Sequence, residues 1–210
     1  MIDKNINTEQ RILEAAKQVF MQKGMKAATT QEIADIAGVN KALLHYYFRT
    51  KEKLHLAVFQ DVMNNNLPGM TGLMVAYKPL VQRIRGFVSV YIDLLSANNY
   101  LVYFLVHEIQ QNPDRFIQQF NHFEPQRLLR IISHSLHKEN IRHVSATDLM
   151  VNMVSLCAFS FIISPLLNNI IFKDNKEDAA LFLLRRKQTV SDFIINSLYY
   201  EHHKTNPHTC

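Results

Sequence analysis

Apolar residues recur every three or four positions along most of this 210-residue chain. That spacing places them on one face of an α-helix, whereas the strict alternation typical of a half-buried β-strand is scarce. Only five glycines occur, so few positions favour tight turns. The pattern therefore predicts an all-α protein, with three helices in an N-terminal domain and a longer helical C-terminal domain.

The first two predicted helices have recognisable ends. The first is predicted to begin with Thr8 as its cap and to stop at Gly24. The second begins after Thr29, and Glu32 follows three residues later, which is the spacing of a capping box. Gly38 ends the second helix, because glycine readily adopts the left-handed backbone of a helix C-cap.

A third and a fourth helix follow closely. Asn40 is a favourable cap for a short helix that runs to about Tyr47. Thr50 is placed to cap a longer fourth helix, in which Leu54 and Val58 fall on the inward face. The N-terminal quarter of the chain is therefore predicted to hold three helices and the start of a fourth.

A break is predicted at Pro68, Gly69 and Gly72, because these residues interrupt the helical pattern. We assign residues 1–54 to the first domain and residues 55–210 to the second. Beyond the break, the periodicity predicts helices over residues 79–97, 100–111, 113–138, 146–170 and 176–203.

A long uncharged run lies between Asp148 and Lys173. It is long enough to cross a bilayer. However, it contains asparagines, serines and a proline, which are costly in hydrocarbon, and no basic cluster flanks it. A helix buried on all sides, in a bundle or a dimer interface, explains the run more simply.

The segment from Thr29 to Phe48 has the residues that a helix-turn-helix requires. Two short helices must cross steeply through a tight turn. Ala34 is small enough for close helix approach, and Gly38 lies where the turn needs a positive φ. The positions expected to pack inward are all apolar: Ile33, Ala37, Val39, Leu44 and Phe48. Such a unit places its second helix in the major groove of DNA.

The charge distribution agrees with a DNA partner. The chain carries a net charge of +5, and its first 56 residues hold nine lysines and arginines against six acidic residues. Positive charge near the motif suits contact with phosphates, which positions a protein without reading sequence. The positive dipole end of the fourth helix lies beside Lys51.

This stretch resembles the DNA-binding domain of the TetR family of bacterial repressors. The resemblance covers residues 8–54, about a quarter of the chain. The matching positions are Thr29-Thr30, Ile33-Ala34, Ala37-Gly38-Val39, Lys41, Leu44, Tyr47-Phe48, Lys51-Glu52 and Leu54. The turn combined with the trailing Tyr-Phe-x-x-Lys-Glu segment is specific. The family usually has glycine at the position of Ala42 and tyrosine at the position of His45.

The resemblance implies DNA contacts for individual residues. Backbone contacts fall on four of them: Thr30, Tyr46, Tyr47 and Lys51. Base-edge contacts fall on five: Gln31, Lys41, Ala42, Leu43 and His45. The alternative for the two tyrosines is that they pack the third helix on its neighbours. The alternative for Lys51 is that it is a solvated lysine at a helix start.

The resemblance also implies that the C-terminal domain binds a small molecule and forms a homodimer. The last two helices would pack against those of a partner, which matches a palindromic operator. Candidate pocket residues for an apolar or aromatic effector are Phe87, Tyr91, Tyr103, Phe104, His107, Phe159 and Phe161. The alternative for each is an ordinary core position, since aromatic residues at helical spacing usually pack in cores.

Signatures of catalysis are missing from the sequence. It has no phosphate loop, dinucleotide fingerprint or nucleophile elbow. Some histidines lie close together in the sequence, but no acid or cysteine is predicted to converge with them. Solvated helix faces therefore explain these histidines better than a metal site does. Cys157 and Cys210 do not suggest a disulfide framework, and the N-terminus has no apolar leader core. We expect no cofactor, no bound metal, no enzymatic activity and a cytoplasmic location.

These observations predict a homodimeric bacterial transcription regulator with a helix-turn-helix DNA-binding domain and a C-terminal ligand-binding and dimerisation domain. The simplest version is a repressor that a small ligand releases from its operator. The rival hypothesis is a helical ligand-binding or membrane-associated protein without sequence-specific DNA binding, which the uncharged run motivates.

Overall fold

The computed structural model describes residues 4–98, 100–111, 113–121, 123–141 and 143–199. Side chains are described in these ranges except at positions 4–7, 100, 104, 107, 108, 111, 115 and 119. The helices are α1 Lys4–Ala27, α2 Thr30–Ala37, α3 Lys41–Tyr47, α4 Lys51–Val75, α5 Leu80–Ala97, α6 Tyr100–Gln111, α7 Pro113–Asn121, α8 Pro125–Lys138, α9 Ala146–Ile162, α10 Ser164–Leu166, a π-helical turn Leu167–Ile171, and α11 Lys176–Tyr199. These ranges contain no β-strand, and the all-α prediction is confirmed.

The chain forms two compact units. The first comprises the residues up to Gly69 together with Leu94–Gln119, and the second comprises Met70–Asp93 together with the residues from Phe120 onward. The first unit therefore holds α1, α2 and α3, and the second holds α8, α9 and α11. The divisions fall within α4, α5 and α7, and the predicted limit between residues 54 and 55 stays a prediction.

The three N-terminal helices share a buried core. On α1, four apolar side chains at helical spacing are fully buried: Ile12, Ala16, Val19 and Phe20. The prediction that Thr8 caps this helix is wrong, because α1 begins at Lys4 and Thr8 lies in its second turn. Extending an existing helix backwards adds one backbone hydrogen bond per residue, which outweighs a local capping preference.

Gly24 ends the regular part of α1, as predicted. Its φ of 72° and ψ of 167° interrupt the helix, and the amide of Ala28 donates to its carbonyl at 3.2 Å. Residues with a side chain rarely adopt that backbone, because the Cβ atom would clash. The chain therefore turns at Gly24 before it reaches α2.

The break predicted at Pro68, Gly69 and Gly72 does not occur, because α4 continues through these residues to Val75. Proline removes its own amide donor and crowds the preceding turn, but the turns that follow it can still form. Within the second unit, Met70 and Met74 are four residues apart and both are buried. Their packing offsets the low helix propensity of the preceding residues.

The helix predicted over 113–138 is two helices. α7 ends at Asn121, and α8 begins at Pro125 after Glu124, whose φ of 46° and ψ of 53° are left-handed. A proline disfavours helical backbone at the residue before it and cannot donate its own amide. Pro125 is thus the first residue of α8, a position where the missing donor costs little.

The helix predicted over 146–170 is interrupted at Ile163. α9 stops at Ile162, and a short α-helical turn containing Pro165 passes into the π-helical turn. Proline lacks an amide donor, which removes one bond from the ladder at this point. No single described helix is long and apolar enough to cross a membrane, although Ala146–Ile162 and Ser164–Ile171, bent by 47°, pass that test as a pair.

The core of the second unit is built from α5, α8, α9 and α11. Its fully buried side chains include Leu80, Ile84, Val88, Ile132, Leu136, Met153, Val190 and Ile194. Two ion pairs join α5 to α11: Arg85 Nη2 lies 2.7 Å from Asp192 Oδ1, and Lys187 Nζ lies 2.6 Å from Asp93 Oδ1. The last helix is described to Tyr199, so residues 200–203 of its predicted span lie outside the described residues.

Candidate nucleic-acid interface

The turn between α2 and α3 is formed by Gly38, as predicted. Its φ of 64° and ψ of 39° are left-handed. The Gly38 amide donates to the Asp35 carbonyl at 3.1 Å, and the Val39 amide donates to the Ala34 carbonyl at 3.0 Å. These bonds satisfy carbonyls at the end of α2 and fix the direction in which α3 leaves it.

Arg11 on α1 holds the same turn from outside. Its Nη2 donates to the Ala37 carbonyl and, at 3.2 Å, to the Gly38 carbonyl. A Cβ atom at position 38 would lie 2.8 Å from that nitrogen. This contact could not be predicted from the sequence, because Ala37 lies 26 positions after Arg11 and no local pattern relates the two.

Side-chain caps fix the starts of three helices. The Glu32 amide donates to Thr29 Oγ1 at 3.2 Å, and the Leu43 amide donates to Asn40 Oδ1 at 2.7 Å. The Lys53 amide donates to Thr50 Oγ1 at 3.2 Å. All three predicted caps are therefore confirmed. Each satisfies an amide that the helix itself leaves unpaired.

The carboxylate of Glu32 pairs with a lysine of α1. Lys23 Nζ of α1 lies 2.6 Å from Glu32 Oε1. This ion pair is partly exposed, so its contribution to stability is small. It nevertheless links the end of α1 to the first turn of α2.

Beneath α3, an apolar base supports the helix. Ile33, Ala34 and Leu44 are fully buried, and Ala37 and Phe48 are nearly so. Burial of this base leaves α3 only one free face. Any residue that reads DNA must therefore lie on that outward face.

The outward face of α3 presents most of the residues assigned to base edges. Lys41, Ala42, Leu43 and His45 are all exposed. The ring nitrogen Nδ1 of His45 lies 3.4 Å from the Arg49 carbonyl, and this contact orients the imidazole. The face is therefore open, with a short side chain at position 42 that permits close approach.

The two tyrosines at the end of α3 differ in burial. Tyr46 is 78% exposed, whereas Tyr47 is half-buried and its ring lies 6.5 Å from that of Phe48. The rings of Tyr46 and Tyr47 meet edge to face at 5.4 Å. Tyr47 thus has the packing role that we considered as an alternative, and Tyr46 is free to reach outward.

Two further assigned residues lie at the start of α2. Thr30 is half-buried and Gln31 is exposed. Gln31 Nε2 donates to Asp35 Oδ1 at 2.8 Å, one helical turn away. Such an intrahelical bond is weak enough to exchange for an external partner.

Lys51 has partners within the protein. Its Nζ donates to the Ala28 carbonyl at 3.1 Å and to the Lys26 carbonyl at 3.4 Å, and its side chain is half-buried. The lysine therefore ties the start of α4 to the connection between α1 and α2. An ammonium group has three donors, which leaves one beyond these two bonds.

The comparisons with known proteins concern this same region. Residues 12–58 match the family described as bacterial regulatory proteins, tetR family. The chain is 36% identical over 89 residues to the HTH-type transcriptional activator FasR of Mycolicibacterium smegmatis, a match that covers 42% of this chain and 41% of FasR. The helix-turn-helix segment thus matches the TetR family, and the resemblance predicted from the sequence is confirmed for this segment.

Other relatives agree with this assignment. The chain is 36% identical over 69 residues to the HTH-type transcriptional regulator RutR of Escherichia coli K12, covering 33% of this chain and 32% of RutR. The matches thus span less than half the length of these relatives. The transcriptional regulator FadR from Bacillus subtilis, solved in complex with stearoyl-CoA, superposes with a TM-score of 0.65 at 17% identity, covering 90% of this chain and 99% of FadR. At that identity the likeness concerns the fold alone.

The candidate effector residues fall in both units. In the second unit, Phe87 is buried and its ring lies 5.7 Å from that of Tyr91, while Phe161 is buried and Phe159 is 56% exposed. Tyr103 belongs to the first unit and is about half exposed. The side chains of Phe104 and His107 lie outside the described residues.

A polar group lies within the apolar core of the second unit. Burial raises the pKa of the Tyr91 phenol, and the nearby Cys157 thiol raises it further. Burial raises the pKa of Cys157 to about 12, against the opposing effect of Arg186. Arg186 donates to Ser160 Oγ at 3.1 Å and to the Leu156 carbonyl at 3.0 Å. This group could not be predicted from the sequence, because its members come from α5, α9 and α11.

The described histidines were also candidates for a metal site. No group of three or more histidine, cysteine, aspartate or glutamate side chains converges within the described residues. Two of the histidines have backbone contacts instead: a ring nitrogen of His137 lies 2.8 Å from the Ser133 carbonyl, and one of His143 lies 3.0 Å from the Ser197 carbonyl.

Proposed function

We propose that this chain is a ligand-responsive transcription regulator that binds a DNA operator through α3. The observation that carries the proposal is the open, polar face of α3 above a buried apolar base, in the segment that matches the TetR family. The domain would comprise residues 1–54, and residues 55–210 would bind the effector and the partner subunit. The relatives are transcription regulators, which supports a non-enzymatic role and a cytoplasmic location.

The proposed DNA contacts are those of the α2–α3 surface. Base-edge contacts are assigned to Gln31, Lys41, Ala42, Leu43 and His45, and phosphate contacts to Thr30, Tyr46, Tyr47 and Lys51. Exposure supports the role of Tyr46 more strongly than that of its neighbour Tyr47. For Lys51 we propose a double role, since two of its donors already bind the protein and one can reach a phosphate.

We propose a homodimer formed through α9 and α11. Both helices expose large apolar side chains, which are costly to leave in water: Val151, Phe159, Ile162, Leu184 and Phe193. The uncharged run of the sequence supplies part of this surface, which explains it without a membrane. A twofold dimer presents two α3 helices and therefore suits a palindromic operator.

The proposed effector is a small apolar or aromatic molecule that releases a repressor from its operator. The aromatic residues of the second unit support this class of ligand, and stearoyl-CoA in the FadR complex is an acyl ligand bound by a protein of the same fold. Because α4 runs from the first unit into the second, it is one covalent connection through which the effector would act. The ligand must bind the two functional states with different affinity.

Fluorescence anisotropy with labelled DNA from upstream of the gene tests the proposal. The affinity for this DNA should exceed that for a scrambled duplex and should fall steeply with salt. Tyr46→Ala should weaken specific binding roughly tenfold, because an exposed contact is lost without harm to the core. Tyr77→Ala removes a fully exposed tyrosine outside the helix-turn-helix and serves as the control. Equal losses in both variants would contradict the proposed surface.

A further inference from the structure

The second unit contains a cavity that none of the proposed DNA or effector contacts uses. It has a volume of about 720 Å³ and lies between the connection from α4 to α5 and the C-terminal half of α8. That volume is typical of small-molecule sites. Its walls include Tyr77 and Lys78 on one side and Arg130, His134 and Lys138 on the other.

Positive charge dominates the lining of this cavity. Four cationic side chains face one acid: Lys78, Arg83, Arg130 and Lys138 against Glu139. The oxygens of Glu139 already have partners, since Oε1 accepts from the Leu80 amide at 3.1 Å and Oε2 accepts from the Tyr199 hydroxyl. Among the described side chains that line the cavity, cations therefore outnumber acids by three.

Arg83 is the deepest of these cations, with only 5% of its surface exposed. Its Nη1 donates to the Met74 carbonyl at 2.6 Å, whereas its Nε has no hydrogen-bond partner within the described residues. Burial lowers the pKa of Arg83, and nearby Glu139 opposes that shift. A buried charge with an unused donor is costly, and an oxyanion matches the planar fork of a guanidinium.

We propose that this cavity binds the oxyanion group of a small molecule, either a phosphate or a carboxylate. Arg83 is the buried anchor, and Arg130 and Lys138 are the outer contacts. Lys138 Nζ also lies 6.0 Å from the centre of the exposed Tyr77 ring, which places an aromatic surface beside the charge. This proposal goes beyond the proposed function, because the cavity can bind an ion whether or not the bound ion changes the affinity for DNA.

Calorimetric titration of the full chain tests the site, with inorganic phosphate, pyrophosphate and succinate in separate arms. We expect saturable binding of one ion per chain in at least one arm, and the arm that binds identifies the phosphate or carboxylate source. Arg130→Gln and Lys138→Gln should each weaken this binding at least about fivefold, because each removes a charge-assisted contact. Arg83→Lys keeps the charge but removes the fork, and should weaken binding in the same way.

Arg127→Gln is the matched control. Arg127 lies on α8 one turn before Arg130, but it does not line the cavity and instead pairs with Glu124 at 2.9 Å. This variant should bind the ion as the unmodified chain does. Thermal unfolding without ligand checks that each variant is folded, and the exposed Arg130 and Lys138 variants test the site even if the Arg83 variant unfolds.

Two results would overturn the site. One is the absence of saturable binding in every arm up to about 10 mM, which corresponds to less than about 3 kcal/mol of binding free energy. The other is an equal loss of binding in the Arg127 and Arg130 variants, which would indicate a general charge effect. Because Arg130→Gln should leave DNA binding unchanged without the ion, failure of this site is distinguishable from failure of the proposed function.

Discussion

At the residue scale, one glycine and one arginine determine the geometry of the DNA-binding turn. Gly38 has a positive φ, and Arg11 donates to the two carbonyls beside it. The sequence predicts the glycine, because a helix C-cap is a local signal. It does not predict the arginine, because that contact depends on how α1 packs across α2.

Gly38→Ala should destabilise the chain by about 1–2 kcal/mol, because a side chain at positive φ is strained. Urea unfolding measures this change. Gly69→Ala is the control, since Gly69 lies inside α4, its φ is not positive, and nothing lies within 4 Å of its added Cβ. That variant should be neutral or stabilising by up to about 1 kcal/mol. A similar loss in both variants would contradict the strain argument.

Arg11→Gln should lower the free energy of unfolding by about 1 kcal/mol, since partly exposed charge-assisted bonds to Ala37 and Gly38 are lost. The double variant with Gly38→Ala tests the contact directly. Because the added Cβ would meet the Arg11 guanidinium at 2.8 Å, the two effects should not add. Strict additivity would show that the two residues act independently.

Lys51→Gln should separate the two roles proposed for this lysine. The unfolding midpoint should fall, because the bonds to Ala28 and Lys26 are lost, and the salt dependence of DNA binding should become shallower. Lys53→Gln provides the comparison, since Lys53 is exposed near the same helix start. An unchanged midpoint in the Lys51 variant would contradict the structural role.

At the element scale, local signals gave the starts of α2, α3 and α4, and tertiary packing decided where several helices end. Thr29, Asn40 and Thr50 cap their helices through amides three residues away, so sequence spacing is sufficient. α4 continues past Pro68 because residues beyond the proline are buried in the second unit. Pro125 did carry a local signal for the start of α8, which the broad periodicity outweighed in the sequence analysis.

The buried face of α9 gives a prediction about pH. Burial raises the pKa of Cys157 to about 12, above the value of an unfolded thiol. The folded state therefore keeps a proton that the unfolded state releases, so this thiol should reduce stability as the pH rises from about 9 toward 12. Below about pH 8 the thiol is protonated in both states and should contribute no slope.

Thermal unfolding at pH 8 and pH 10 measures this effect. For each protein, the decrease in stability from pH 8 to pH 10 is measured against its own stability at pH 8. This decrease should be smaller for Cys157→Ala than for the unmodified chain. In a Cys210→Ser background, the remaining thiol should also react slowly with a disulfide reagent at pH 8, because it is buried. Rapid reaction of the folded chain would contradict the burial of Cys157.

At the scale of the whole molecule, features confined to one short segment could be predicted from the sequence, whereas features built from several helices could not. The helix-turn-helix could be predicted because its chemistry lies within twenty consecutive residues. The buried group around Cys157 and the cationic cavity around Arg83 could not, because each joins residues from separate helices. The surfaces for the partner subunit and the effector depend on how the second unit is assembled. For these surfaces the family resemblance supplied expectations, but the sequence contains no motif that identifies them.

The proposed dimer has its own test at this scale. Phe193→Glu should weaken self-association at least tenfold in analytical ultracentrifugation, because it places a charge on an apolar surface that is 65% exposed in the single chain. Gln188→Glu adds the same charge at another exposed position of α11 and should leave the dimer intact. Equal association of the two variants would place the interface elsewhere.

The most direct test of the central claim is a nuclease footprint on the DNA upstream of the gene. Binding through two α3 helices predicts protection of two half-sites related by a palindrome, with centres about one helical turn or a multiple of it apart. The footprint should disappear with Tyr46→Ala at protein concentrations where Tyr77→Ala still protects. Protection without a preferred position, or a footprint that Tyr46→Ala leaves unchanged, would contradict sequence-specific binding through α3.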